Sequence, residues 1–147
     1  MQVREIMTNR LAYCTPDASL QEVAAMMASC DCGAIPVIDP SSSKALGVIT
    51  DRDIVCRAVA THKNPGAIQA QEVMSAPVAA VFPQSSLEEC LSKMEAAQIR
   101  RMLVIDNAGT LCGLVSQADI VRAVPEHQTA ELLRDVSTPS ASTDEVH

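Results

Sequence analysis

Two short strings in this sequence pair a hydroxyl with a carboxylate three positions later. They are Gly47-Val-Ile-Thr50-Asp-Arg-Asp53 and Gly113-Leu-Val-Ser116-Gln-Ala-Asp119, each on an apolar run. A hydroxyl just before a helix and a carboxylate at its third residue form a capping box, which satisfies orphan amides and suits the helix dipole. The same pair offers a second chemistry. A ribose cis-diol presents two donors that one carboxylate accepts through its two oxygens, with the hydroxyl beside it as donor or acceptor, and the helix N-terminus next door suits a phosphate. Taken singly, such a string reads first as a cap, since caps far outnumber ligand sites. Both readings can hold at once.

Other reactive side chains point away from catalysis. His62, His127 and His147 stand apart from both strings, so no Ser-His or Cys-His pairing is indicated by position, and the chain reads as a non-enzyme. Cys30-Asp-Cys32 is not the C-x-x-C redox spacing, and no second pair completes a four-ligand zinc site, so no metal is expected. The six cysteines read as thiols, most of them small buried apolar residues. Cys14, just before Thr15-Pro16, is the one placed for redox sensitivity. A redox- or metal-responsive protein using its thiols is therefore the alternative reading.

The elements that must position these residues come from an internal repeat. A shift of 67 residues sets Val73-Met74 on Ile6-Met7, Ser86-Leu87 on Ser19-Leu20 and Val104-Ile105-Asp106 on Val37-Ile38-Asp39; a shift of 66 then sets Gly113 on Gly47 and Asp119 on Asp53. The change of offset falls between PSSSKA and NAGTL, two turn-like strings. Ser19-x-x-Glu22 and Ser86-x-x-Glu89 read as capping boxes opening amphipathic helices. Each helix is followed by two short apolar runs, a β-hairpin pattern, and by a second helical stretch over 51–60 or 117–124. Brief extended pieces precede Pro16 and Pro83. The repeat is thus β-α-β-β-α, over 1–60 and 71–124, with a linker at 61–70 and a polar helix and frayed tail over 125–147.

Composition bounds the function. Hydrophobic residues make up 48% of the 147 and charged residues 20%, ordinary globular usage. Tyr13 and Phe82, the only aromatic residues, are too few for a base-stacking platform, and a net charge of −7 repels a phosphate polyanion; a nucleic-acid role is disfavoured and no nucleic-acid partner is expected. No apolar stretch approaches the ~20 residues of a membrane span, and no signal-peptide core follows MQVREIMTNR. A cytoplasmic protein without membrane attachment is expected.

The paired strings GVITDRD and GLVSQAD, the segments Gly33-Ala-Ile-Pro-Val-Ile-Asp39 and Arg100-Arg-Met-Leu-Val-Ile-Asp106, and the 67-residue repeat resemble a tandem pair of cystathionine-β-synthase (CBS) domains, the Bateman module. The resemblance covers about residues 3–124. It implies an α+β fold of two CBS repeats related by a pseudo-two-fold axis with their sheets packed face to face, and a homodimer. It implies binding of an adenosyl ligand, AMP, ADP, ATP, NAD or S-adenosylmethionine, that signals by conformational change to a separate effector protein. By motif position it implies nucleotide contacts from Thr50, Asp53, Ser116 and Asp119, with Thr15, Ile35 and Pro36 in the first repeat and Arg100 and Arg101 in the second. Two departures are visible: Met102-Leu103 replaces the hydrophobic-Pro step, and Gly33-Ala34 faces the basic pair. For Arg100-Arg101 a phosphate contact and a solvated edge weigh equally.

Overall fold

The computed structural model describes residues 1–76 and 78–124. The helix expected over 126–136 and the tail after it lie outside the described residues. A 3-10 turn at Val3–Glu5 is followed by α1 (Leu20–Cys30), β1 (Ala34–Ile38), β2 (Ala45–Thr50) and α2 (Asp51–Ile54), which continues as a π-helical turn over Val55–Val59. After a 3-10 turn at Pro65–Ala67 come α3 (Ala70–Val73), β3 (Ala80–Val81), α4 (Leu87–Ala97), β4 (Arg101–Ile105), β5 (Leu111–Ser116) and α5 (Gln117–Ala123). The mixed helices and strands of an α+β chain are therefore present, in the doubled order that the repeat predicts save that the first repeat's opening strand is reduced to one bridge at Cys14. Among the described residues no helix is long and apolar enough to cross a membrane.

Local chemistry accounts for where the helices begin and which face they bury. The Ser19 and Ser86 hydroxyls accept from the amides of Glu22 and Glu89 at 3.1 and 3.0 Å, starting α1 and α4. Leu20, Val23 and Met27 on α1, and Leu87, Cys90, Leu91 and Met94 on α4, form the buried stripes. Those stripes cover strands whose middle residues are buried: all five of β1, and Met102, Leu103 and Val104 of β4.

One proline makes the two sheets unequal. In β1, Pro36 stands opposite Val48, whose own N–H and C=O turn the other way to bond Ser75, so nothing is lost on that side. On its other side Pro36 accepts from the Cys14 amide at 2.9 Å but has no N–H to extend the pairing, and the neighbouring strand is cut to the single bridge Cys14–Val37. Leu103, at the equivalent place, keeps its N–H. There the parallel pairing spans Ala80–Leu103 and Val81–Val104, and the sheet has three strands, β3-β4-β5, rather than two.

The chain forms two compact units, and these are divided differently from the sequence repeats. Of the described residues, the first unit takes those of 10–78 with 108–111; the second takes 1–9, 79–107 and 112–124. In the first, Ser75 exchanges backbone hydrogen bonds with Val48 at 2.9 and 3.2 Å, and Ile68, Ala70 and Val73 join the core around Leu20, Ile35 and Ile49. In the second, Thr8 and Leu114 exchange bonds at 2.9 and 3.0 Å, and Val3 joins the core around Leu87, Met102 and Val115. The stretch expected as a linker, 61–70, thus supplies core side chains, and each motif strand gains a pairing partner from the segment that opens the other repeat.

That pairing explains the motif glycines. A Cβ on Gly47 would stand 2.7 Å from Met74 Sδ and 2.8 Å from the Ser75 carbonyl oxygen; on Gly113 it would stand 2.7 Å from Met7 Sδ and 2.9 Å from the Thr8 carbonyl oxygen. A sulfur can swing away. A hydrogen-bonded backbone carbonyl cannot without breaking the Ser75–Val48 or Thr8–Leu114 pairing. Gly47→Ala and Gly113→Ala are each expected to cost about 1–3 kcal/mol, read as a lower urea midpoint; an unchanged midpoint in both would mean that the segments yield freely.

Candidate functional site

β2 and β5 end at the hydroxyl residues of the two motifs, and α2 and α5 start one residue later. Thr50 Oγ1 accepts from the Asp53 amide at 3.2 Å while Asp53 Oδ2 accepts from the Thr50 amide at 2.9 Å. For Ser116 and Asp119 the corresponding distances are 3.1 and 2.9 Å. Both are complete capping boxes. Half of that arrangement recurs at Gln2 with Glu5 and at Gln69 with Glu72, where the glutamate carboxylate accepts from the backbone amide three residues earlier at 2.6 and 2.7 Å, so a carboxylate held in this way by itself marks no ligand.

The second carboxylate oxygen distinguishes the two motifs. Asp53 Oδ1 lies 3.8 Å from Arg57 Nε, and Asp119 Oδ1 accepts from Arg122 Nη2 at 2.5 Å. The arginine side chains are 52% and 71% exposed against 12% and 19% for the carboxylates. Each carboxylate is therefore oriented by backbone while its outer oxygen meets a cation that water already screens. Ion pairs of that exposure are worth about 0–1 kcal/mol, little enough for a competing donor to displace. Arg57 is the functional candidate that the repeat comparison passes over, because its partner position in the second repeat is Ala123; the signal that finds it is its four-residue spacing from Asp53.

The remaining candidates fall at different ends of the strands. In the first unit Ala34 pairs with Thr50 and Ile35 with Ile49, and the Gly33 carbonyl accepts from the Asp51 amide at 3.0 Å, so Ile35 and Pro36 lie close to the Thr50–Asp53 box along the strand pair. Both are buried. Thr15 is not brought there. Parallel pairing of Cys14 with Val37 carries Thr15 toward Ile38, the far end of β1, where its hydroxyl donates to Asp17 Oδ1 at 2.6 Å. In the second unit the Arg100 carbonyl accepts from the Gln117 amide at 2.8 Å, which sets Arg100 and Arg101 beside the Ser116–Asp119 box, both half-buried. One box therefore has a basic pair next to it and the other has Gly33-Ala34.

The thiols are less uniform than expected. All six cysteines are free, but only Cys14 and Cys90 are buried; Cys30 and Cys56 are exposed, because Cys30 ends α1 and Cys56 lies on the outer face of the turn after α2. Burial pushes the Cys14 thiol up to about 11, with the Asp17 and Glu22 carboxylates adding to the effect. Burial likewise pushes Cys90 up to about 11, against the pull of Lys93. A neutral buried thiol is a poor nucleophile, so Cys14 is unsuited to the redox role its sequence position indicates.

Comparison with known proteins sets these features in context. A family model for the CBS domain matches residues 3–59 and 70–126. Hypoxic response protein 1 of Mycobacterium tuberculosis is 32% identical over 138 residues, covering 94% of this chain and 95% of that protein. A crystal structure of Hypoxic Response Protein I with two coordinated zinc ions superposes with a TM-score of 0.77 at 32% identity, over 85% of this chain and 100% of that one. The CBS domain pair of protein MJ0100, in complex with 5′-methylthioadenosine and S-adenosyl-L-methionine, gives 0.76 at 24% identity over 84% and 94%, a likeness of fold alone.

The zinc ions in Hypoxic Response Protein I correct the expectation that no metal belongs to a chain of this kind. Four-ligand spacing was the wrong criterion, because metal ligands converge in space and need not be neighbours in sequence. Zinc takes thiolate rather than thiol, which the two buried cysteines disfavour. Among the described residues no three His, Cys, Asp or Glu side chains are grouped to hold such an ion, so the described residues are not a ready fit, and His127 and His147 lie outside them.

The raised thiols fix a pH dependence. The folded value of about 11 for Cys14 and Cys90 lies above the ordinary 9.0, so above that value the unfolded chain ionises while the folded one keeps its protons. Their contribution is whole below about pH 9 and lost as the pH climbs toward about 11. Urea unfolding near pH 8 and near pH 10.5 is expected to show that loss, reduced in Cys14→Ala; equal loss in the variant would show that Cys14 burial is not its source.

Proposed function

We propose that this chain, which belongs to the CBS domain family, is a regulatory module that binds an adenosyl nucleotide at its two Thr/Ser-x-x-Asp motifs and passes the binding on as a change of conformation. One observation carries the reading. In both motifs the carboxylate has one oxygen locked by a backbone amide and the other directed at a water-exposed arginine. A ribose diol needs an acceptor of that kind, fixed in direction and cheap to uncover. The ligand class is AMP, ADP, ATP, NAD or S-adenosylmethionine. The adenosyl compounds held by MJ0100 support this, since the fold is shared. Arg100 and Arg101 beside Ser116 and Asp119 suit a phosphorylated adenosine, whereas Gly33 and Ala34 beside Thr50 and Asp53 suit a ligand that brings no phosphate to that point.

The motif groups hold a ligand rather than transform it, so the module is read as non-enzymatic, cytoplasmic and homodimeric, with a separate effector protein receiving the signal. A ligand signals only through unequal affinity for two conformations. One finding favours a second reading, a metal-responsive protein: the zinc ions described in Hypoxic Response Protein I. A thermal-shift comparison of adenosyl nucleotides with zinc separates the two.

Asp53→Asn and Asp119→Asn test the main reading. Asn keeps an acceptor for the cap but loses the charge and the second acceptor, so a purely capping carboxylate costs up to about 1 kcal/mol of stability and no affinity. A carboxylate that holds ribose weakens AMP by about ten- to a hundredfold and loses discrimination between AMP and 2′-deoxy-AMP. Calorimetric titration of both nucleotides into the three proteins is expected to give the second pattern; equal affinities throughout would leave the carboxylates as caps.

A further inference from the structure

Arg57 touches both the first motif and the segment that completes its unit. Its Nε lies 3.8 Å from Asp53 Oδ1, and its Nη1 donates to the Val73 carbonyl at 2.9 Å. Val73 ends α3, and the next two residues are Met74, packed against Gly47, and Ser75, bonded to Val48. Asp53 Oδ2 is held by the Thr50 amide, so Oδ1, the oxygen facing Arg57, is the one left for an incoming hydroxyl. Arg57 sits within the π-helical turn Val55–Val59, closed by the Ala60 amide on the Val55 carbonyl at 2.8 Å, a form that recurs at functional sites. The second unit is built otherwise. Ala123 holds the place of Arg57, and Arg122, one position earlier in the repeat, is spent on Asp119 directly.

We propose that Arg57 is the positioning residue through which occupation of the Asp53 motif reaches residues 70–76, and that the second motif has no such link. The proposal rests on the nucleotide reading above for the identity of the occupant. With the motif empty, one guanidinium is shared between the Asp53 carboxylate and the Val73 carbonyl. A ribose hydroxyl donating to Oδ1 removes the carboxylate's share, and the guanidinium loses the anchor that orients its bond to Val73. The segment then rests on its backbone bonds to Val48, Ala18 and Pro16 and on the core packing of Ala70 and Val73, without a side-chain tie to the motif. Binding at Asp53 thus loosens the stretch packed against the motif glycine, and loosening that stretch favours binding by the same factor.

Amide hydrogen exchange over 70–76 in the full chain tests the link without any nucleotide, with Asp53→Asn standing in for occupation. Arg57→Gln and Asp53→Asn are each expected to speed exchange there by about two- to fivefold, the range a water-exposed ion pair supports, and the double variant no further, because both cut one link. Arg57→Lys restores part of the protection, and Arg122→Gln leaves 70–76 unchanged. Additive effects in the double variant, or no effect of Arg57→Gln, overturn the proposal. With AMP, exchange over 70–76 is expected to rise in the wild type, whereas Arg57→Gln binds AMP about two- to fivefold more tightly, with no change in that segment. An equal response in Arg57→Gln overturns it too. If AMP fails to bind the wild type, the nucleotide reading falls while the ligand-free comparison still decides the link.

Discussion

In each unit a strand and a stretch of chain approach until no Cβ fits between them, Gly47 against Met74 and Ser75, and Gly113 against Met7 and Thr8. From that approach the rest follows. It lets Ser75 and Thr8 pair with Val48 and Leu114, so the outer edges of β2 and β5 have backbone partners instead of unpaired groups. It also draws Val73 and Val3 into the cores. A β-α-β-β-α unit of about 55 residues is near the size at which one core is marginal. The borrowed segment adds apolar surface where it is needed, and neither repeat is complete without chain lying outside it.

The strand that makes this approach ends at the motif hydroxyl, which ties packing to chemistry. Two residues separate the crowded glycine from Thr50 or Ser116, so the position of the capping box is set by the same strand that holds the segment. Within the box the carboxylate is oriented by an amide, at no further cost when a ligand arrives. The outward carboxylate oxygen of each motif is paired with an exposed arginine, Arg57 or Arg122. Their displacement by one position between the repeats gives the two motifs different neighbours despite nearly identical box distances.

How much of this was legible depended on whether the determinant was local. Ser19, Ser86, Thr50 and Ser116 announce helix starts because a cap is a contract between residues three apart, and all four hydroxyls accept the expected amide. The two-repeat fold was legible because apolar periodicity was doubled at a fixed offset. Thiol chemistry was not. Cys14 and Cys30 look alike as sequence, yet one is buried with its proton held and the other is exposed. Nor does residue spacing decide whether a metal is held, since metal ligands converge in space without a required spacing along the chain.

By itself the sequence determined the order of helices and strands and the capping boxes at the two motifs, since each rests on side chains within a few positions of one another. Tertiary structure alone decided that 1–9 and 70–78 cross to complete the other repeat's unit, that Pro36 reduces one sheet to two strands while Leu103 leaves three, and that Arg57 reaches the Val73 carbonyl sixteen residues away. It also set Thr15 at the far end of β1 from Thr50, although both precede helical starts. The physical reason is the same throughout. Backbone pairing and close packing depend on which segments meet across long stretches of chain, and no periodicity within a segment encodes its partner.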